Sequence, residues 1–313
     1  HFGTLTRGVS LGLGAADAVH AMLGSDLLKE AADGLRHASG GRLPKWSPAL
    51  PRPVHFVPRK VAATRDERVV YFPSCAARHF GAQRGDPQTT SLPDTATRLF
   101  ERAGFDVLYP AGLAGLCCGQ PFESQGLMAA ADHKAKELEA ALQDASEGGR
   151  WPIVFDTSPC SWRMRRFAGQ RLPVHDAIEF VHDVLMPRLP FQPLDEPLAV
   201  HPVCSVRKMG STDKLLALAR RCSTQVVTVD AVACCGFAGE RGFMRPELNE
   251  HALRHLKAAL PEGCGQGCSS SRTCEIGLSE MSGVPYRSII AVVEACTREG
   301  ARDPADRPTP TAD

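Results

Sequence analysis

The same arrangement of cysteines occurs twice along the chain. Each copy has one cysteine, then an adjacent pair followed by glycine, then a last cysteine. We call these sets motif one (Cys75, Cys117, Cys118 and Cys160) and motif two (Cys204, Cys234, Cys235 and Cys274). The segments between the cysteines also recur in the same order, so the sequence predicts a duplicated fold.

Short β-rich runs precede the cysteines, and helical stretches separate them. Strands are predicted at 69–72, 105–109 and 153–155 in the first copy and at 198–200 and 226–229 in the second. The helix after the first strand should begin at Asp94 as its N-cap and stop at Gly104. Segment 263–268 is glycine-rich and a poor strand by propensity. Strands alternating with helices predict an α/β fold of parallel βαβ units, with the cysteines beyond the carboxyl ends of the strands, where such folds bind ligands.

Composition divides the chain into four parts. Residues 1–66 combine weakly amphipathic helical stretches with a proline-rich linker, and residues 67–192 and 193–300 are the two copies. Residues 301–313 carry Pro304, Pro308 and Pro310 among charged and small residues. We expect this last part to be a disordered tail.

Charge and hydropathy exclude two kinds of partner. Lysine plus arginine number 36 and aspartate plus glutamate 35, and a net charge of +1 provides no field for holding nucleic acid. No apolar run approaches the roughly 20 residues that span a bilayer, and no secretory signal is recognisable. Twelve cysteines in 313 residues are too few for a disulfide scaffold. We expect a cytoplasmic protein whose thiolates serve as ligands, with peripheral attachment to the inner face of the cell membrane left open.

Four thiolates in each motif suit a metal ion or a cluster. Their long separations exclude short-range zinc fingers, and the sequence lacks the four-cysteine run of an ordinary ferredoxin. Glycine after each pair allows close approach of the backbone, and amides at a helix start stabilise thiolate charge. The alternative is that the cysteines are buried apolar residues, which we expect for Cys222 and Cys296. Cys264 and Cys268 fit either interpretation.

Side chains next to the motifs could complete a site. His79 and His201 stand close in sequence to Cys75 and Cys204 and could bind a metal or donate to a sulfur, although a plain loop histidine is the more common case. The flanking cations are Arg207, Lys208, Arg241 and Arg272. They could attract anionic groups or raise a reduction potential, although solvated surface charge is the ordinary explanation.

The residues around the motif cysteines resemble those of a known family. The stretches concerned are Tyr71-Phe72-Pro73-Ser74-Cys75, Leu116-Cys117-Cys118-Gly119-Gln120-Pro121-Phe122, His201-Pro202-Val203-Cys204-Ser205, Cys234-Cys235-Gly236-Phe237-Ala238-Gly239 and Ser271-Arg272-Thr273-Cys274-Glu275. They are similar to the duplicated cysteine-rich CCG domain found in the heterodisulfide reductases, in glycolate oxidase iron-sulfur subunits and at the carboxyl end of FAD-linked D-2-hydroxyacid dehydrogenases. The similarity in detail is to the bacterial FAD- and iron-sulfur-dependent D-lactate dehydrogenases of the cytochrome type.

The resemblance covers nearly the whole chain and implies two tandem CCG domains. It implies an iron-sulfur cluster of the 4Fe-4S type on the eight motif cysteines, with zinc as the alternative at one motif. It also implies FAD on an upstream region or partner, an upstream ferredoxin module joined through residues 1–66, and an electron acceptor such as a quinone or cytochrome. The family pattern ends in Cys-x-x-Cys, and the first of those positions is Thr157 in one copy and Ser271 in the other.

The motifs show no residues arranged for acid-base chemistry. No Gly-rich nucleotide-binding turn or paired carboxylate is visible, so the sequence favours electron transfer. With the resemblance, it predicts the iron-sulfur electron-transfer module of an oxidoreductase that converts D-lactate to pyruvate at an upstream FAD, inactive on the substrate by itself. The alternatives are a module of a D-2-hydroxyglutarate or glycolate dehydrogenase, a heterodisulfide-reductase-like thiol-disulfide reductase, and a zinc-stabilised scaffold without a redox role.

Overall fold

The computed structural model of the protein describes residues 2–59, 64–83, 86, 89–239 and 241–298. In this part of the chain, the first four strands are β1 Arg68–Phe72, β2 Asp106–Leu108, β3 Ile153–Phe155 and β4 Val174–Asp176. The next four are β5 Leu198–Val200, β6 Val226–Thr228, β7 Gln266–Ser269 and β8 Tyr286–Ser288. They form two four-stranded sheets, ordered β2-β1-β3-β4 and β6-β5-β7-β8.

The predicted α/β fold of tandem repeated βαβ units is confirmed. All strand pairs in both sheets are parallel, and the second sheet repeats the strand order of the first. The carboxyl ends of parallel strands lie on one edge of a sheet. The loops that carry the cysteines after β1 and β3, and after β5 and β7, are therefore brought together in pairs.

Helices connect the strands and cover the sheets. In the described chain they are α1 Phe2–Ala38, α2 Cys75–His79, α3 Leu92–Arg102, α4 Gln120–Ser124, α5 Met128–Ala145, α6 Ser158–Ala168, α7 Ala177–Phe180, α8 Cys204–Met209, α9 Thr212–Cys222, α10 Arg241–Met244, α11 Pro246–Leu253, α12 Leu256–Ala259, α13 Arg272–Ser282 and α14 Ile289–Cys296. Helix α1 is interrupted at Gly24, whose φ of 76° is outside the helical region. Among the described helices, none combines the length and hydropathy needed to cross a membrane.

Side chains of β1 show how the core is divided. Val70 and Phe72 point to one face of the first sheet and pack in a cluster with residues of α5 and α6. Val69 and Tyr71 point to the opposite face, because successive strand residues alternate. The cluster on that face also contains Leu198 of β5 and residues of α9 and α14, so one core is shared by both sheets. The two halves are thus joined by apolar packing.

Polar contacts also join the halves. Glu294 of α14 is buried, and Arg98 and Arg102 of α3 lie 3.4 and 3.2 Å from its carboxylate. At the carboxyl edges of the sheets, Ser158 N donates to Ser270 O at 3.0 Å and the hydroxyls of the same two residues are 2.8 Å apart. The loops after β3 and β7 are therefore in direct contact.

The sequence prediction was wrong at the start of α3. Ser91 is the N-cap, since its hydroxyl accepts from Asp94 N, and Asp94 lies in the first turn. Pro93 fits the second helical position, where no amide is needed. The predicted stop is confirmed, because Gly104 follows the C-cap Ala103 with a φ of 97°.

The weak segment before Cys274 nevertheless forms strand β7. All four of its residues are buried. A Cβ on Gly267 would lie 2.6 Å from the ring of Tyr286, so glycine at this position makes room for a large side chain of the neighbouring strand. Packing thus overrides the low strand propensity.

Two strands, β4 and β8, were not predicted. Each follows a proline and precedes a capped helix, with Asp176 and Ser288 as the N-caps. The predicted boundaries after residues 66, 192 and 300 stay predictions, and the predicted tail 301–313 lies outside the described residues.

Candidate metal centres

Motif one brings together its four cysteines at the carboxyl edge of the first sheet. Cys75 is the first residue of α2, and Cys160 lies in the first turn of α6. The Sγ atoms of Cys118 and Cys160 are 3.0 Å apart. The thiols of Cys75 and Cys117 lie close enough to shift the pKa of each other, as do those of Cys117 and Cys118. The four sulfurs therefore form one connected group.

Motif two repeats this arrangement at the edge of the second sheet. Cys204 is the first residue of α8, and Cys274 lies in the first turn of α13. The Sγ atoms of Cys235 and Cys274 are 3.0 Å apart, and those of Cys204 and Cys234 are 3.7 Å apart. The thiols of Cys234 and Cys235 lie close enough to shift the pKa of each other, which links the two pairs. All eight cysteines predicted as ligands thus fall into two groups of four.

The glycine after each cysteine pair is required by the backbone. Gly119 and Gly236 have φ of 86° and 70°, in the left-handed region that glycine favours. A Cβ on Gly119 would lie 2.2 Å from Ala131 O, and one on Gly236 would lie 2.4 Å from Leu248 O. The turn is therefore pressed against the following helix in both copies.

The same turns direct amides at sulfur. Gly119 N donates to Cys117 Sγ and Gly236 N donates to Cys234 Sγ, each at 3.4 Å. An N–H donor favours the thiolate over the thiol. Both motifs therefore contain a built-in partner for one negative sulfur.

Solvent exposure distinguishes the two motifs. In motif one, Cys117 and Cys118 are each 1% exposed. In motif two, Cys204 and Cys234 are exposed, while Cys235 is buried. Motif one is thus an interior group, and motif two is open to solvent at one end.

The ionisation of the thiols follows these environments. The neighbouring thiol of Cys117 and then burial raise the pKa of Cys75 well above its usual value. In motif two, the thiol of Cys204 and then that of Cys235 hold the pKa of Cys234 low, while the pKa of Cys204 is raised by the same contact with Cys234. In the exposed pair, Cys204 is therefore the donor and Cys234 the acceptor.

The four cysteines of each motif are suitable ligands for a metal or cluster, but some of their sulfurs lie closer together than such a group requires. Sulfurs around a tetrahedral zinc at about 2.3 Å lie about 3.8 Å from one another, and a cluster needs wider spacing. The 3.0 Å contacts in each motif are shorter than this. Correspondingly, no three histidine, cysteine, aspartate or glutamate side chains among the described residues are spaced as a preformed metal site. The sulfurs would have to separate when they bind such a group.

Among the described residues, neither histidine considered as a ligand donates a side-chain hydrogen bond to a cysteine. His79 Nδ1 is 2.7 Å from Ser10 Oγ of α1, and burial followed by the charge of Arg78 lowers its pKa to about 4. His201 is buried, which lowers its pKa to about 4, and it feels the charges of Arg207 and Cys234. His201 is therefore a neutral side chain beside motif two.

Two buried charged residues behind motif one were missed by sequence reasoning. Arg78 of α2 donates to Leu113 O and, at 2.7 Å, to Leu116 O, and so ties the Cys75 helix to the segment before Cys117. Asp156 follows β3 and is 2% exposed. It accepts from Ser74 N at 3.0 Å and from the hydroxyls of Tyr71 and Thr157 at 2.8 and 2.9 Å. A charged residue directly after a buried strand was the signal available for Asp156.

The two positions where the family pattern has a further cysteine differ from each other. Thr157 is the N-cap of α6, and its hydroxyl is held by Asp156 and Ser74. Ser271 is the N-cap of α13 and is buried, and within the described chain its hydroxyl makes no hydrogen bond. Only the Ser271 side chain is thus uncommitted.

The remaining cysteines lie in the core. Cys222 and Cys296 are fully buried, as predicted, and Cys296 Sγ contacts Cys222 O at 3.4 Å. Cys268 is buried in β7, and Cys264 Sγ lies 3.6 Å from Pro197 O and 3.5 Å from Gln266 O. The two undecided cysteines therefore lie in core clusters that also contain cysteines of motif two.

The flanking cations are divided between two roles. Arg272 is mostly buried, lies 3.1 Å from the buried Glu275 and donates to Gly81 O, so it joins the halves. Arg207, Lys208 and Arg241 are exposed. The expectation of solvated charge is therefore wrong for Arg272.

Comparison with known proteins finds a family match around motif one. Residues 69–165, which include all of motif one, match the family model of the CCG cysteine-rich domain. Over 140 residues, the chain is 29% identical to a subunit of the anaerobic glycerol-3-phosphate dehydrogenase of Escherichia coli strain K12, covering 41% of this chain and 35% of that protein. It is 24% identical over 195 residues to the uncharacterized protein YkgE of the same strain, covering 57% of this chain and 79% of that protein. The chain thus spans about a third of the length of the first relative.

A solved structure adds no information on function. Glutamate racemase from Aquifex pyrophilus aligns over 72% of this chain and 81% of its own, with 12% identity and a TM-score of 0.34. This value is too low to support an argument.

Proposed function

We propose that this chain is the iron-sulfur electron-transfer module of an FAD-linked dehydrogenase, and that the whole enzyme oxidises D-lactate to pyruvate. The observation that carries the proposal is the convergence of all eight motif cysteines into two groups of four, one at each sheet edge. The CCG match over motif one and the similarity to a dehydrogenase subunit support the same class of function. The resemblance of the cysteine motifs to those of D-lactate dehydrogenases supports D-lactate as the substrate.

The residues of this chain would hold the group and set its environment. A bound iron-sulfur cluster supplies a one-electron couple. The cysteines provide the thiolates, and the amides of Gly119 and Gly236 donate to one sulfur in each motif. Such donors stabilise the more negative, reduced form and raise the reduction potential. Burial of Cys117, Cys118 and Cys160 shields three of the four sulfurs of motif one from water.

Cysteine substitution tests the site assignment. Cys118→Ser and Cys235→Ser should each reduce the iron and acid-labile sulfide of anaerobically reconstituted protein, because each removes one thiolate from a group of four. The matched control is Cys264→Ser, since among the described residues the hydrogen bonds of this thiol go only to backbone oxygens. Full iron retention in both motif variants would contradict the assignment.

The substrate is tested in the complete enzyme with its FAD region. D-lactate should bleach the visible absorption of the iron-sulfur group, whereas glycolate and D-2-hydroxyglutarate should do so more slowly. Faster bleaching by either of these two acids would assign the module to that dehydrogenase instead.

A thiol-disulfide reductase is the second candidate, and the exposed Cys204–Cys234 pair favours it. In that reaction the two thiols would become a disulfide while a substrate disulfide is reduced to two thiols. Repeated turnover of a disulfide by metal-free protein, with an added dithiol that reduces the Cys204–Cys234 disulfide after each cycle and with activity lost in Cys234→Ser, would support this candidate over electron relay.

A further inference from the structure

The solvent-exposed end of motif two is the place where electrons could be exchanged with another molecule. Cys204 and Cys234 are exposed there, whereas Cys117, Cys118 and Cys160 of motif one are buried. The turns of the two motifs adjoin, since Arg241 Nη2 donates to Ser124 O of α4 at 2.7 Å. A partner that contacts motif two therefore also lies close to the turn of motif one.

Three exposed cations lie close in sequence to these two cysteines. Helix α8 begins at Cys204, and Arg207 and Lys208 follow it at the spacings that place side chains on the same helix face. Arg207 Nε donates to Pro202 O at 3.1 Å, which fixes its guanidinium beside the loop of motif two. Arg241 lies on the other side of the cysteine pair in sequence.

Within the described part of the chain, these cations do not form ion pairs. In the part of the chain that the structure describes, Arg207, Lys208 and Arg241 have no carboxylate partner, and the first and third donate only to backbone oxygens. By contrast, Arg163 and Arg166 of α6 are paired with Glu123. In the loop before Cys234, Asp230 is the exposed acidic residue among those described. Among the described residues of these segments, the three cations therefore outnumber the acidic side chains.

We propose that this surface, formed by Cys204, Cys234, Arg207, Lys208 and Arg241, is the docking site of an acidic electron-carrier protein. The docking site rests on the proposed electron-transfer function. One electron passes between the iron-sulfur group held by motif two and the redox group of the carrier, and no covalent bond forms or breaks. Opposite charges on two surfaces raise the rate of encounter by 10-fold or more at low salt, and salt screens them over about 8 Å.

The experiment measures electron transfer between the reduced, anaerobically reconstituted chain and two protein probes. An acidic two-iron ferredoxin should react at a rate that falls at least about 10-fold as salt is raised, and a basic cytochrome c should not show this dependence. Arg207→Glu with Lys208→Glu should lower the ferredoxin rate at low salt by at least about 10-fold. The matched control is Lys29→Glu with Arg220→Glu, an equal change of charge on exposed residues of α1 and α9.

A second measurement uses metal-free protein, so that docking can be judged separately from the proposed function. The exposed thiols should react faster with a dianionic aromatic disulfide than with a neutral one, and the Arg207→Glu, Lys208→Glu variant should lower that ratio several-fold. An unchanged ratio overturns the docking surface even if iron is absent.

The outcomes separate the two proposals. If the chain holds iron and is reduced, yet the ferredoxin rate is the same in both double variants, the docking surface is wrong and the electron-transfer function stands. If the disulfide ratio changes but the ferredoxin rate does not, the surface attracts small anions only and the protein partner is refuted. If no iron or sulfide is retained, the electron-transfer function fails, and with it the carrier docking that rests on it.

Discussion

Replacing Gly119 by alanine should destabilise the protein much more than the same change at Gly126. Both glycines have a positive φ, 86° and 79°. A Cβ on Gly119 would lie 2.2 Å from Ala131 O, whereas one on Gly126 would have no heavy atom within 4 Å. The pair therefore separates the cost of the backbone conformation from the cost of the close approach.

The magnitude follows from these two terms. A left-handed backbone costs an alanine about 1–2 kcal/mol at either position. At Gly119 the backbone of α5 must also move away from the new methyl group, and overpacking of this kind adds about 1–3 kcal/mol. We expect the free energy of unfolding to fall by about 2–5 kcal/mol in Gly119→Ala and by about 1–2 kcal/mol in Gly126→Ala.

Urea denaturation of the reduced, metal-free chain, followed by circular dichroism, measures this difference without a contribution from a bound metal. Gly236→Ala should behave like Gly119→Ala, because its Cβ would lie 2.4 Å from Leu248 O. If the losses at Gly119 and Gly126 agree within about 0.5 kcal/mol, the packing of the turn against the helix is not what requires glycine.

Three further substitutions test the surroundings of the motifs. Burial raises the pKa of Asp176 from 3.8 to about 6, so the folded state favours its neutral form. The free energy of unfolding should therefore fall as pH rises from about 4 through 6. Urea titrations at several pH values should show that Asp176→Asn removes up to about 3 kcal/mol of this dependence. Asp156→Ala leaves three buried donors without an acceptor and should lower the free energy of unfolding by about 2–5 kcal/mol. Asp156→Asn should lower it much less, because the amide oxygen can still accept; equal losses in the two variants would refute the hydrogen-bonding role. Ser271→Cys should raise the amount of iron that the protein retains, whereas Thr157→Cys should not, because the Thr157 hydroxyl is hydrogen-bonded to Asp156 and Ser74. Unchanged iron in Ser271→Cys would show that this side chain does not face the site.

The duplicated architecture could be predicted because its signals are local. Apolar runs marked β1, β3 and β5, and the cysteine-glycine turns fixed the equivalence of the copies. Strand β7 could not be predicted from its composition, since it depends on the ring of Tyr286 filling the space over Gly267. Strands β4 and β8 were too short to stand out in either copy alone, although the recurring proline before each was visible by self-comparison.

Which cysteines group together could be predicted from the sequence, but the surroundings of each group could not. The spacing of the cysteines indicated the two groups of four, whereas their different exposure depends on tertiary packing. The roles of Arg78 and Asp156 also depend on segments distant in sequence, since Arg78 bonds Leu116 O and Asp156 bonds Tyr71. Sequence reasoning had no means of pairing them.

Metal and sulfide analysis of the anaerobically purified chain tests the electron-transfer function most directly. Iron, acid-labile sulfide and zinc should be measured on the same sample, with Cys118→Ser and Cys235→Ser beside it. We predict iron and sulfide in equal amounts, up to about four of each per motif, and a loss in each variant. About one zinc per motif without sulfide would contradict the proposal and identify a structural scaffold instead.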